Sequence, residues 1–176
     1  MRFCRHLLST VAVWTVAIAL WIVPLSTAPA LAAPIPVATL PGLGTTFAGD
    51  VPELGLKAGH LLPCPASPNC VVSQDADADH AIAPISYTGD RATARELLVK
   101  VLGVVPRTEI VSQTDDYIRT QSTSRLMGFV DDAEFYLPAD EAVIHLRSAA
   151  RLGESDLGVN RRRLEQIRLA LQDLGI

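Results

Sequence analysis

Residues 128–149 carry two runs of period-two alternation, separated by Pro138-Ala139-Asp140-Glu141. Period two sends successive side chains to opposite faces of a strand. Two such runs around a turn cluster predict an antiparallel hairpin, 128–137 with 142–149. With Ala139-Asp140 as a two-residue turn, Pro138 faces Glu141, Tyr136 faces Val143, Glu134 faces His145 and Asp132 faces Arg147. All lie on one side of the sheet. The other side carries Ala133, Phe135, Leu137, Ile144 and Leu146, and reads as the core face. An apolar sheet face must be covered, so this hairpin commits the chain to a layered fold.

The flanking segments supply the cover. Residues 91–103 predict a helix: Asp90 is an N-cap, Leu97, Leu98, Val101 and Leu102 fall at helical spacing, and Gly103 ends it. Residues 107–122 predict two strands, with Ile110-Val111 and Tyr117-Ile118 flanking a Thr114-Asp115-Asp116 turn. A last helix runs from about Asn160, read as its N-cap, to Leu174, with Leu164, Ile167, Leu171 and Leu174 on one stripe. The expected fold is α+β, an antiparallel four-stranded meander with helices packed on one face.

The mean hydropathy of +0.27 is high for such a domain, and residues 1–32 account for it. Arg2, Arg5 and His6 make a basic start, 14 of the 17 residues Leu7–Val23 are apolar, Pro24 breaks the run, and Ala30-Leu31-Ala32 is an A-x-A-type cleavage site. That is the layout of a secretory signal peptide; the alternative is an uncleaved anchor, for which the run is short. Residues 33–60, rich in Pro, Gly, Ala and Thr, read as a linker or N-terminal arm, and 61–176 as a single α+β domain. Beyond residue 32, 13 Lys/Arg stand against 19 Asp/Glu, which excludes a basic nucleic-acid module. Cys64 and Cys70 are expected to pair once exported, worth about 2 kcal/mol for so short a loop. A redox pair or a soft-metal site is the alternative, although C-x-x-C spacing is the usual redox signature and a metal needs more ligands.

Asp132, Glu134, His145 and Arg147 make the chemically richest cluster. It reads either as a salt-bridge ladder on a solvated face or as a pocket in which His145 beside Glu134 shuttles protons. One His and one carboxylate do not define a metal site. Arg161, Arg162 and Arg163 then stand at the start of a helix, where the macrodipole disfavours positive charge. Asp131, Asp132, Glu154 and Asp156 can compensate them, or a bound anion can. Of 15 basic residues in the chain 13 are Arg, the residue suited to planar recognition of carboxylates.

Other motifs fail. Asp75-x-Asp77-x-Asp79 lacks the Gly and Glu that an EF-hand loop needs at its sixth and twelfth positions. P-loop, dinucleotide, nucleophile-elbow and zincin motifs are missing from the sequence. His145 and Ser148 are three apart in a strand, so they point to opposite faces and do not make a hydrolase pair. No cofactor and no metal is implied.

Three ordered motifs resemble an uncharacterised family, catalogued as domain of unknown function 1499. They are Cys64-Pro65-x-Ser67-Pro68-Asn69-Cys70-Val71, then Gly128-Phe129-Val130-Asp131-Asp132-x-Glu134, then Arg147-Ser148-x-x-Arg151-x-Gly153-x-x-Asp156-x-Gly158-x-Asn160-Arg161-x-Arg163. The resemblance covers about residues 61–173. The family occurs in bacteria, including cyanobacteria, and in plant plastids, so the resemblance implies export to the periplasm or thylakoid lumen and no established activity. Family members usually carry Ser-Ala-Ser before the arginine at 151; here Ser148-Ala149-Ala150 argues against a nucleophile at 150 and leaves Ser148 open. Two functions are expected. One is a non-catalytic exported module that binds a lumenal or periplasmic partner protein or a small anionic ligand through Asp132, Glu134, His145, Arg147, Arg151, Arg161 and Arg163. The other is an acid–base enzyme, a hydrolase or isomerase, using Glu134 or Asp132 with His145. Nucleic acid is not an expected partner, and membrane contact is expected only through an uncleaved leader.

Overall fold

The computed structural model describes residues 47–176. Residues 1–46, which hold the leader expected over 1–32 and the first part of the arm expected over 33–60, lie outside the described residues. In chain order the strands are β1 (Leu56–Lys57), β2 (His60–Leu61), β3 (Cys70–Val72) and β4 (Ile85–Ser86). Helix α1 (Arg91–Leu102) follows, then β5 (Thr108–Gln113), β6 (Tyr117–Thr123), β7 (Val130–Tyr136), β8 (Val143–Ala150) and helix α2 (Val159–Asp173). The fold is α+β, and β5 to β8 do form the antiparallel meander.

The meander is not the whole sheet. Its order is β3-β8-β7-β6-β5, and β4 also pairs with β8, giving six strands rather than four. β3 lies against Val72↔Arg147 to Cys70↔Ala149, and β4 against the start of β8 at Ile85↔Ile144. Strands of two or three residues are too short to print a periodic signal.

The hairpin register also differs. Tyr136 faces His145, Glu134 faces Arg147 and Asp132 faces Ala149. This is a shift of two residues from the expected pairing of Glu134 with His145 and Asp132 with Arg147. A two-residue turn needs an N–H at Pro138 to close its narrow pair, and proline has none. The turn therefore lengthens. An even shift keeps every side chain on its face, so the division into a core face and a polar face stands.

The core face is covered by both helices. Ile118, Ala133, Phe135, Leu137, Ile144 and Leu146 pack with Leu98, Val101 and Leu102 of α1 and Leu164, Ile167 and Leu171 of α2. Leu174 is 42% exposed, so the buried stripe stops at Leu171. α1 starts as its sequence predicts, with Asp90 Oδ1 accepting from Thr93 N at 2.9 Å. α2 does not start on an Asn160 cap. Gly158, at φ 75°, occupies the cap position, and the Asp156 carboxylate accepts from the backbone N–H of Gly158 (2.9 Å) and Asn160 (2.7 Å). The Asn160 side chain is buried elsewhere: it accepts from Ser148 Oγ and donates to the Asn69 carbonyl. This ties α2 to β8 and to the cysteine loop.

The polar face is covered too, by the described part of the arm. Phe47 packs edge-on against Phe129 with ring centroids 5.3 Å apart. The Gly49 backbone lies so close to Arg151 and Leu152 that a Cβ there would sit 2.8 Å from Arg151 Cβ, which with φ 67° requires glycine. Gly55 N donates to Glu134 Oε1 at 2.7 Å.

Candidate functional site

Polar-face residues come from alternate positions of three meander strands. Tyr117, Arg119 and Gln121 lie on β6, Asp132, Glu134 and Tyr136 on β7, and His145, Arg147 and Ala149 on β8. Because the arm covers this face, its charges are buried. Asp132 and Glu134 are 0% exposed, where a charge persists only if paired.

The pairing is extensive. Asp132 Oδ1 accepts from Arg119 Nε (3.2 Å) and Nη2 (2.8 Å). Arg151 reaches Asp132 Oδ2 through Nε (2.7 Å) and Oδ1 through Nη2 (3.1 Å). Burial pushes the Asp132 carboxyl up, but the Arg151 and Arg119 guanidiniums outweigh it and hold it below the ordinary range. The same contact raises Arg151. With its amide oxygen turned inward, Gln121 accepts from both Arg119 and Arg151. Glu134 accepts from Tyr117 Oη (2.7 Å) and Gly55 N at Oε1, and from Arg147 Nη1 (2.9 Å) at Oε2. Burial and the facing carboxylate hold the Tyr117 phenol protonated far above its usual range.

Asp131 shows what the opposite side does. It neighbours Asp132 but points toward α2, where Arg163 Nη2 donates to its Oδ2 at 2.6 Å. Here burial dominates, and the Asp131 carboxyl is raised despite Arg163. Arg161 donates to the carbonyls of Ala81 (2.6 Å) and Asp79 (3.1 Å), and Arg162 to Leu157 O (2.7 Å). The basic helix start is thus held by one carboxylate, Asn160 and backbone carbonyls.

Of the candidate residues, the structure unites Asp132, Glu134, Arg147 and Arg151 on one face. Arg163 and Arg161 lie on the α2 side. His145 is on the polar face but apart from both carboxylates: its Nδ1 is 3.2 Å from Ser73 Oγ and its ring stacks on Tyr136. Burial lowers its basicity, with Glu141 at 3.7 Å opposing. Ser148 lies on the opposite face from His145, as alternation requires.

Cys64 and Cys70 form a disulfide. His80 braces their loop: its Nδ1 meets the Asp77 carboxylate at 2.8 Å and its Nε2 lies 3.2 Å from the Ser67 carbonyl. Asp77 holds the His80 imidazole above its ordinary basicity. Sequence reading missed Tyr117, Arg119, Gln121, Asn69 and His80. The first three were findable, because Tyr117-x-Arg119-x-Gln121 alternates next to β7. Asn69 stood in the Cys64–Val71 motif with no role assigned to it, and His80 belongs to irregular backbone that prints no pattern.

Beside this network lies a cavity of about 350 Å³, lined among others by Pro52, Pro65, Asn69, Arg147, Arg151 and Glu154. Arg147 Nε, buried, has no hydrogen-bond partner among the described residues.

Fold and site together define a disulfide-tied α+β domain built on a buried arginine–carboxylate network. The chain belongs to the family described as Protein of unknown function (DUF1499), whose family model matches residues 60–171. No curated protein and no solved structure matches it.

Proposed function

We propose that this protein is an exported, non-catalytic module that binds a small anionic ligand at the disulfide end of its polar sheet face. One observation carries the reading. Three largely buried guanidiniums (Arg119, Arg147 and Arg151) stand against two buried carboxylates, Asp132 and Glu134, and two of the three line the cavity. A buried surplus of positive charge is favourable only with an anion beside it. The absence of catalysis is supported by the state of the carboxylates. Each is covered and committed to cationic donors, and neither meets His145. The leader-like segment 1–32 and the Cys64–Cys70 disulfide support export to an oxidising compartment, the periplasm or thylakoid lumen.

Two measurements test this. Mass spectrometry of the chain recovered from its host should find a mature N-terminus at Ala33. Protein equilibrated with a small-molecule extract of that compartment, washed and denatured, should release an anionic compound that Arg147→Lys protein does not retain. Retention of nothing by the wild-type chain overturns the ligand reading; enrichment of a protein instead of a small anion favours the partner.

A further inference from the structure

The two ends of the meander show different chemistry to solvent. Strand register gathers the start of β5, the β6–β7 turn, the end of β8 and the start of α2 at one end. Thr123 N donates to Arg107 O there, and Arg151 N to Val130 O. This end carries the three most exposed large apolar side chains among the described residues. Leu126 is 91% exposed, Leu157 84% and Val104 78%, with Met127 and Val159 exposed beside them. They come from three separate connections, and none lines the cavity described above. Single exposed apolar residues are ordinary, but a gathering at one end marks an interaction surface. Leu157 is moreover held at φ 53°, a conformation that disfavours a bulky side chain and suits Asn or Gly. The opposite end has nothing comparable: its turns, 114–116 and 138–142, read Thr-Asp-Asp and Pro-Ala-Asp-Glu-Ala.

We infer that this end docks on the surface of a lipid bilayer, with Val104, Leu126 and Leu157 entering the interface. Three observations select lipid. Tips on separate loops need a surface that yields around each of them, as acyl chains do, whereas a second copy of this chain must offer a matching pocket to each. Charge orients the domain as well. Arg125 adjoins Leu126, and Arg162 donates to the Leu157 carbonyl; with Arg107 they are exposed at this end, against the exposed carboxylates of Asp50, Glu109 and Glu154. The far turns hold Asp115, Asp116, Asp140 and Glu141, against Arg91 and Arg95, which bond to the carbonyls of Leu137 and Thr114. An anionic lipid surface therefore repels the far end more than this one. Lastly, the described chain enters the fold at this end, with Phe47 on Phe129, downstream of the leader-like run 7–23. This contact adds to the one expected through an uncleaved leader. Because the charges around the tips nearly balance, apolar insertion supplies most of the binding, and lipid charge supplies less.

The test uses 15N-labelled protein carrying the N-terminus its host leaves, mixed with phosphatidylcholine bicelles that contain a nitroxide-labelled lipid. The nitroxide should broaden the backbone signals of 104, 125–128 and 157–159 and spare those of 114–116 and 138–142. Adding phosphatidylglycerol should strengthen partition by less than about tenfold. Leu126→Gln combined with Leu157→Asn should weaken partition by about tenfold or more and abolish the selective broadening. The fold should stay intact in that variant, because both positions are exposed and asparagine tolerates the backbone at 157. Leu169→Gln, exposed on α2 away from these tips, should change neither readout. Where a retained leader holds the chain on lipid whatever the loops do, the selective broadening and its loss in the double variant decide. Equal broadening of both ends, no broadening, or a double variant that behaves as wild type overturns the proposal. So does a dimer in lipid-free solution that the double variant loses, because a second copy then covers these tips.

Discussion

The two faces of the central sheet are buried by opposite means. Toward the helices, Phe135, Ile144 and Leu146 pack in a core with no exposed surface, held by the hydrophobic effect. Toward the arm, Asp132 and Glu134 are equally buried and held by directed bonds to three arginines. The same strand serves both faces through alternate residues. Apolar packing needs only residues of the right volume, whereas a buried ionic face needs every member present. It also leaves a definite pattern of charge, and a surplus of it, next to a cavity. The core face explains why the domain folds, and the polar face is where the proposed ligand would sit.

The largest effects come from breaking either face at its centre. Asp132→Asn removes the counter-charge of both Arg119 and Arg151 and should cost about 3–5 kcal/mol. Phe135→Ala, on the other face of the same strand, should cost about as much, some 3–5 kcal/mol, through a cavity. Denaturant unfolding of both measures the comparison. A loss below about 1 kcal/mol for Asp132→Asn means the ionic face is an accessory to the core.

A middle effect comes from the Cys64–Cys70 link, which holds the loop leading into β3 against the polar-face edge of β8. Serine at both positions should cost about 2 kcal/mol. It should also broaden the backbone signals of 64–72 and of the Arg151–Glu154 loop, which Asn69 holds through its bond to the Gly153 carbonyl. Unchanged signals there would separate the disulfide from the site.

Asp131→Asn should be milder than Asp132→Asn, because one arginine rather than two loses its counter-charge and burial already works against the charged form of Asp131. Two adjacent aspartates thus read out the two faces. Burial raises the Asp131 carboxyl in the fold, so the folded chain holds its proton more tightly than the unfolded one. Stability from this group therefore falls as pH rises from 3.8 through its folded value. Asp132, lowered in the fold, has the opposite sign: its stabilisation is present above 3.8 and is lost as pH falls through its folded value. Acid titrations of the two Asn variants against wild type should show slope changes of opposite sign. Changes of the same sign would refute the assignment of burial to one and pairing to the other.

These contrasts show what sequence can and cannot reveal. Alternation in 130–149 was enough to divide the faces, because an error of two residues in register leaves the division intact. It was not enough to pair Glu134 with Arg147, because pairing depends on a turn whose length Pro138 alters. The helices were legible from their apolar stripes. β3 and β4 were not, since Cys70-Val71-Val72 and Ile85-Ser86 are strands only because β8 offers an edge. The cover on the polar face was hidden for the same reason: the arm gains its place from single contacts such as Gly49 on Arg151 and Gly55 on Glu134. The Asn160 cap failed because Ser148 and Asn69, distant in sequence, compete for the same amide.

The smallest expected effect tests whether His145 belongs to the charged network or only borders it. Burial lowers its basicity; Glu141 pulls the other way, and His60 adds a like charge. The unfolded chain, with His145 near 6.5, then binds its proton before the folded chain does. Stability from this residue is complete above pH 6.5 and falls as pH drops below it toward the folded value. His80 has the reverse sign, because Asp77 raises it: its stabilisation is complete below 6.5 and is lost as pH rises through its folded value. The two partly cancel in wild type, so the measurement is a difference. Denaturation midpoints of wild type and His145→Gln at pH 7.5, 6.5 and 5.5 should diverge at 7.5 and converge toward 5.5, since His80 contributes equally to both chains. A gap that widens on acidification would mean that the folded protein welcomes a charged His145. The polar face would then carry less surplus positive charge than its arginines suggest, and the case for an anion there would weaken with it.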